Sequence, residues 1–181
     1  MQAQLFPVPV TGPAGLRPLA RALELLDTLT CWVICISVAL MVAVVSAQVA
    51  MRYGLNRSFD WADEVSRLCF VWSIFLAIPL GIRARAHIGV EVLVARLPAG
   101  ARGALARAVA LVSAALLLLV AWEAAVMSVD QWDETMASVP ASAAWFNVPL
   151  VWLGVHGALH LLWSAAFAAP AADASTPEEL A

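Results

Sequence analysis

Uncharged apolar stretches of membrane length recur along this chain. No charged residue occurs between Asp27 and Arg52, which leaves 24 residues and predicts a first spanning helix over about 29–51. Roughly 20 mostly apolar residues are enough to cross about 30 Å of hydrocarbon. Residues 68–82 are uncharged between Arg67 and Arg83 but number only 15. The second span, placed at 65–82, therefore needs Arg67 or Arg83 to snorkel toward the headgroups. A third apolar run covers about 104–129, interrupted by Glu123, and a fourth is placed at 143–167 inside the uncharged stretch from Thr135 to Ala172. Strands are excluded because open sheet edges leave backbone groups unsatisfied in lipid. Val45-Ser46-Ala47 ahead of Gln48 has the small residues of a signal cleavage site. The first run exceeds the ~7–15 residues of a signal core, however, and is read as an anchor.

The fold class expected is all-α: four transmembrane helices with short interfacial amphipathic helices, as one membrane domain over 21–168. Residues 1–20 are expected to be a flexible lead, since Pro7, Pro9, Pro13 and Pro18 with Gly12 and Gly15 oppose a helix, and 169–181 a flexible tail. Arginines set the expected orientation. Arg17 and Arg21 precede the first span, and Arg83, Arg85, Arg96 and Arg102 fall in the second loop. Arg52 and Arg57 lie in the first loop and none in the third. Six against two puts both termini in the cytoplasm. The third loop, with Asp130, Asp133 and Glu134, then faces outward.

Between spans one and two, Asp60 can cap a helix, with Asp63 as a second acid near its amino end. Asp63 and Arg67 stand four apart in the favourable order. The alternative is that these charges only mark the water boundary. Residues 87–97 are too short to span. Val90, Leu93, Val94 and Leu97 share one helical face and His87 and Glu91 another, as in an amphipathic helix on the membrane surface.

Composition narrows the class. Of 181 residues, 63% are hydrophobic and 13% charged, against about 25% charged in a soluble domain, and mean hydropathy is +0.87. A soluble enzyme and a nucleic-acid binder are excluded. Every one of the ten basic residues is arginine. Catalytic chemistry is not in evidence. Cys31, Cys35 and Cys69 form no Cys-x-x-Cys and read as small hydrophobes inside spans. His156 and His160 are i, i+4, a spacing that can bind a metal, yet no carboxylate or third histidine follows at helical spacing. A polar contact to a neighbouring helix is the expected use, so no metal, cofactor or catalytic residue is assigned. Glu123 is the one acid counted inside a span, near the outer end, within reach of water or Arg52. Pro79 is the one breaker deep inside a span, Pro149 falling near the start of the fourth. A charge at the membrane midplane or a Gly/Pro-broken helix would mark a transport path. Their absence from this pattern points to a membrane scaffold.

From Arg52 to Glu91 the chain resembles the small membrane subunit of tripartite ATP-independent periplasmic (TRAP) transporters. Arg52-Tyr53 closes span one, Trp61-x-x-Glu64 with Arg67 opens span two, and Trp72 lies within it. Arg83-x-Arg85-x-His87-Ile88-x-Val90-Glu91 follows, then Leu97-Pro98 before span three and Ser138-x-Pro140 before span four. The likeness covers about 20–167. Each motif is common alone; the ordered set with four spans is specific. Ala77 stands where the family often has Gly, Pro79 where a small residue is usual, and Glu91 where Asp is frequent.

The resemblance implies a subunit of a bacterial inner-membrane importer, driven by sodium and not by ATP. It pairs in the bilayer with a large permease subunit that holds the sodium ions and substrate, while a soluble periplasmic protein captures the solute, often a carboxylate. The small subunit would enlarge the static scaffold. Arg52, Tyr53, Trp61, Asp63, Glu64, Arg67, Trp72, His87 and Glu91 are the candidate partner-interface or structural residues. Among them Arg52, Asp63, Glu64 and Arg67 are expected to form a charge cluster at the outer interface, with Glu64 desolvated against the partner. Asp130, Asp133 and Glu134 are the candidate docking acids for the binding protein. No substrate-binding residue is identified. Three rivals stay open: the small subunit of a tricarboxylate-type tripartite importer; a self-contained small exporter, which would be expected to carry a charge or Gly-broken helix midway; and a four-helix thiol-oxidising enzyme, which would need paired cysteines in external loops.

Overall fold

A computed structural model describes residues 17–57, 59–84 and 98–167. Its elements are α1 (Arg17–Gly54), α2 (Asp60–Arg83), α3 (Ala99–Asp130), a short 3-10 helix (Ala143–Phe146) and α4 (Val148–Phe167). Among the described residues four helical segments are long and apolar enough to cross a membrane. The protein is therefore a multi-pass, all-α membrane protein.

Local chemistry sets the ends. Pro18 sits in the first turn of α1, where its missing N–H costs nothing. At the other end Asn56 adopts φ 51°, the left-handed conformation that asparagine tolerates better than most side chains. Leu55 N–H and Arg57 N–H both return to Met51 O, at 3.0 and 3.3 Å. α2 begins at Asp60 with Phe59 as the capping position and no side-chain cap. Asp60 is thus the first helical residue and not the cap expected from sequence. Asp60 and Asp63 still place negative charge in the first turn, where the helix dipole favours it. Pro98 starts α3 from an extended conformation. The hydroxyls of Thr28, Thr30, Ser73 and Ser128 bond the carbonyl four residues back, which satisfies them without water.

The spans run longer than expected. α1 starts twelve residues ahead of position 29, and α2 is continuous from Asp60 into the membrane. The fourth span opens with the 3-10 turn before α4 takes over at Val148. The segment 87–97, expected to be an amphipathic surface helix, lies outside the described residues, as do the terminal stretches 1–16 and 168–181.

The helices pack as a series: α1 along α2, α2 against α4, and α4 against α3. The α4–α3 seam is made of small residues. Ala114, Ala121 and Ala124 are the buried apolar positions of α3, and Gly154, Gly157 and Ala158 are buried on α4. Lipid tails are as apolar as leucine, so helices in a membrane associate through close van der Waals packing, which small residues permit. A Cβ on Gly154 would collide with Leu117 O and come within 2.6 Å of the Ala121 Cβ.

Gly154→Ala should therefore pry α4 from α3 and cost about 1–3 kcal/mol by overpacking. Gly81→Ala, at a position with nothing within 4 Å of the added Cβ, should be neutral or gain up to about 1 kcal/mol of helix propensity. Unfolding of the two variants in detergent, compared with the parent, checks the contrast.

Candidate functional site

Among the described residues the buried polar and charged side chains are Asp27, Thr30, Glu64, His156 and His160. Apart from Thr30, they gather into two clusters, one at each end of α2.

The first cluster forms around Asp27. This carboxylate is fully buried, although the hydropathy pattern marks it only as the edge of span one. Its Oδ2 accepts from the Arg83 guanidinium at the far end of α2. Its Oδ1 lies 2.9 Å from His160 Nε2 and 2.9 Å from His156 Nε2, both on α4. The two Nε2 atoms are 3.2 Å apart. One residue of α1 thus holds one of α2 and two of α4. Arg83 does not snorkel: its side chain is 10% exposed and turned inward. His156 and His160 make the interhelical polar contact expected of them, and the carboxylate missing at helical spacing comes from another helix. Trp152 packs edge-on against the His156 ring, with centroids 5.4 Å apart.

The second cluster forms around Glu64, which is 7% exposed. Its carboxylate accepts four hydrogen bonds from the α3–α4 loop. The donors are Ala137 N–H at 3.0 Å, Ser138 N–H at 2.8 Å, Ser138 O–H at 2.5 Å and Val139 N–H at 3.1 Å. Consecutive N–H groups converging on one anion form a nest for negative charge. The loop is shaped for this. Thr135 and Ser142 form an isolated antiparallel bridge, with Met136 N–H on Ala141 O at 2.9 Å and Ala143 N–H on Glu134 O at 2.8 Å. Ser142 then caps the 3-10 helix by accepting from Ala144 N–H. Nearby, Trp72 Nε1–H donates to Trp145 O at 3.0 Å, which ties mid-α2 to the same turn.

The remaining candidates do not assemble as a charge cluster. Asp63 accepts from Gln48 Nε2 at 3.0 Å, and Arg67 lies over the Phe146 ring at 5.4 Å. Trp61 packs beside Phe59, and Tyr53 and Arg52 are exposed. Among the described residues no ion pair joins Arg52, Asp63, Glu64 and Arg67. Glu64 is desolvated by its own chain's loop. Glu123 is exposed and makes no ion pair with Arg52. Asp130, Asp133 and Glu134 are exposed beside the loop. His87 and Glu91 lie outside the described residues. Cys31, Cys35 and Cys69 are free thiols within α1 and α2, not in external loops. Sequence reasoning missed Asp27 and Arg83 as partners. The available signals were a span closed too early by Arg83 and a histidine pair on an apolar helix with no partner of its own.

Residues 41–171 match the family model described as tripartite ATP-independent periplasmic transporters, DctQ component. The chain is 30% identical over 106 residues to the C4-dicarboxylate TRAP transporter small permease protein DctQ of Vibrio cholerae, covering 57% of this chain and 46% of that one. It is 40% identical over 67 residues, 36% of this chain and 42% of the other, to a protein of Haemophilus influenzae provisionally named a TRAP transporter small permease protein. The matched segments thus span less than half the length of these relatives.

Truncating a group that others were desolvated to meet leaves them unsatisfied. Asp27→Ala strands a buried guanidinium and should cost on the order of 3–5 kcal/mol. Glu64→Ala should lower the melting temperature by several degrees, and Ser138→Ala, which removes one of four donors, by less. Thermal unfolding of the three variants in one detergent checks the ranking.

Proposed function

The chain belongs to the DctQ components of tripartite ATP-independent periplasmic transporters, and from that membership we propose that it is the static scaffold subunit of a sodium-driven, binding-protein-dependent importer of an organic solute, a carboxylate by class. It assembles in the bacterial inner membrane with a large permease subunit, which binds the sodium ions and the solute, and a periplasmic protein delivers the solute to the outer face. One observation carries the scaffold reading. The buried carboxylates among the described residues are taken up by contacts inside the chain, helix to helix at Asp27 and helix to loop at Glu64. A transport path needs polar groups that face a cavity and exchange partners with an ion or solute. Side chains locked to their own backbone and to each other brace helices instead.

Large exposed apolar side chains run along α1 and α3, among them Leu25, Trp32, Ile36, Val112, Leu116 and Trp122. They suit lipid and a large membrane partner equally. The arginine bias supports both termini in the cytoplasm. The Glu64-bound loop, with exposed Asp130, Asp133 and Glu134, then faces the periplasm, and its negative field suits a binding protein carrying Lys or Arg opposite it. Charge complementarity of this kind sets encounter rate and register.

Expressed alone in vesicles with a sodium gradient, the chain should take up no C4-dicarboxylate, and uptake should appear on co-expression with a large permease and binding protein encoded beside it. Uptake by the isolated chain would overturn the scaffold reading. A cytoplasmic reporter fused after Ala181 and a periplasmic reporter at Asp133 should both be active. In the assembled system the Asp133→Lys, Glu134→Lys double variant should slow uptake at limiting binding protein without reducing assembly of the membrane subunits. The difference should shrink at high ionic strength, where screening shortens the field below about 8 Å. Unchanged uptake across binding-protein concentrations would remove the docking role.

A further inference from the structure

Asp27 Oδ1, His156 Nε2 and His160 Nε2 form a triangle with edges of 2.9, 2.9 and 3.2 Å. Two neutral imidazoles can hydrogen-bond the carboxylate or each other, but in either tautomer one contact of the triangle is left unsatisfied. With both Nε2 atoms protonated they donate to the same carboxylate oxygen and do not bond each other. Convergence of three lone-pair atoms on one point is what a cation requires. Zinc binds His N and carboxylate O at about 2.0–2.1 Å, and a tetrahedron of that size has edges of about 3.3 Å. All three residues are buried, 0%, 2% and 6% exposed, and they come from two helices that make little other contact.

We propose that Asp27, His156 and His160 form a structural site for a zinc-class divalent transition-metal ion, which clamps α1 to α4 at one end of the helix series.

The surroundings define the ion. Arg83 occupies Asp27 Oδ2, so the carboxylate offers one oxygen and the fourth position falls to a small ligand such as water. The same guanidinium opposes a cation by Coulomb repulsion, which disfavours weakly held Mg²⁺ and Ca²⁺, ions that also prefer all-oxygen sites. Imidazole ligation suits zinc, copper and nickel. Among the described residues His156 Nδ1 has no hydrogen-bond partner, so the clamp lacks the outer support that usually orients a ligand histidine. That predicts a site of modest affinity, stripped by a strong chelator. The inference stands on this chain's own residues and does not depend on the transport reading.

The test uses the full chain with whatever subunits it assembles with, purified from membranes through a tag that binds no metal. Elemental analysis should find about one zinc per chain. After chelator treatment, added Zn²⁺ should raise the melting temperature by several degrees and Mg²⁺ should not. His156→Gln and His160→Gln should abolish both the bound zinc and the response. His87→Gln, which changes the one histidine outside the triangle, should keep both. Should the Gln variants fail to fold, the cobalt-substituted parent decides: visible ligand-field absorption of a four-coordinate site supports the proposal, and its absence overturns it. A parent chain that carries no zinc and ignores added zinc, or a response that survives both substitutions, would reduce the triangle to a metal-free hydrogen-bonded knot.

Discussion

Burying the Asp27 carboxylate constrains most of the arrangement around it. An ionised carboxylate removed from water costs several kcal/mol unless charge and hydrogen bonds are returned to it. Arg83 returns the charge and the two histidines the hydrogen bonds. Those partners sit on two other helices, so the carboxylate is satisfied only when α1, α2 and α4 are all in place. Close packing between apolar helices in lipid has little preference for one register over another. A single buried polar group with partners on several helices supplies that preference, because every slipped register leaves it unpaired.

The opposite end of α2 solves the same problem with backbone. Glu64 and Arg83 are 19 residues apart in one continuous helix, a rise of about 28 Å, close to the ~30 Å thickness of the hydrocarbon core. Each end of α2 is therefore fastened by one charged residue, at a separation that matches the thickness of the hydrocarbon core. Arg83 is tied to α1 and, through Asp27, to α4. Glu64 is tied to the loop that joins α3 to α4, and α3 is held to α4 by the small-residue seam around Gly154. A helix series braced in this way suits the proposed role of a static frame, because sliding one helix past another would unpair a buried charge.

Much of the architecture was legible in sequence because a membrane imposes length and apolarity on each span separately. The four spans, the polar loop after α3 and the interhelical use of His156 and His160 follow from local pattern alone. The partners of those histidines do not. Asp27 is more than a hundred residues away in sequence, and its charge made it look like the end of a span, although α1 continues through it. Arg83 looked like a snorkelling boundary residue for the same reason: a charge at a span edge has the same pattern whether it faces water or a counter-charge. Glu64 carried a different ambiguity. Its position beside Trp61 and Arg67 suggested an external contact, whereas its donors are backbone N–H groups, which no residue pattern reports.

If the Asp27 cluster holds three helices together at one end, its loss must be felt locally and on all three. Hydrogen–deuterium exchange of Asp27→Asn, with the chain in its natural assembly, reads this directly. The account predicts faster exchange in residues 17–30 of α1, the last turns of α2 and residues 153–163 of α4. The Glu64-bound loop at 135–142 should keep its protection. Exchange unchanged along α1 and α4, or raised uniformly over the whole chain, would contradict it.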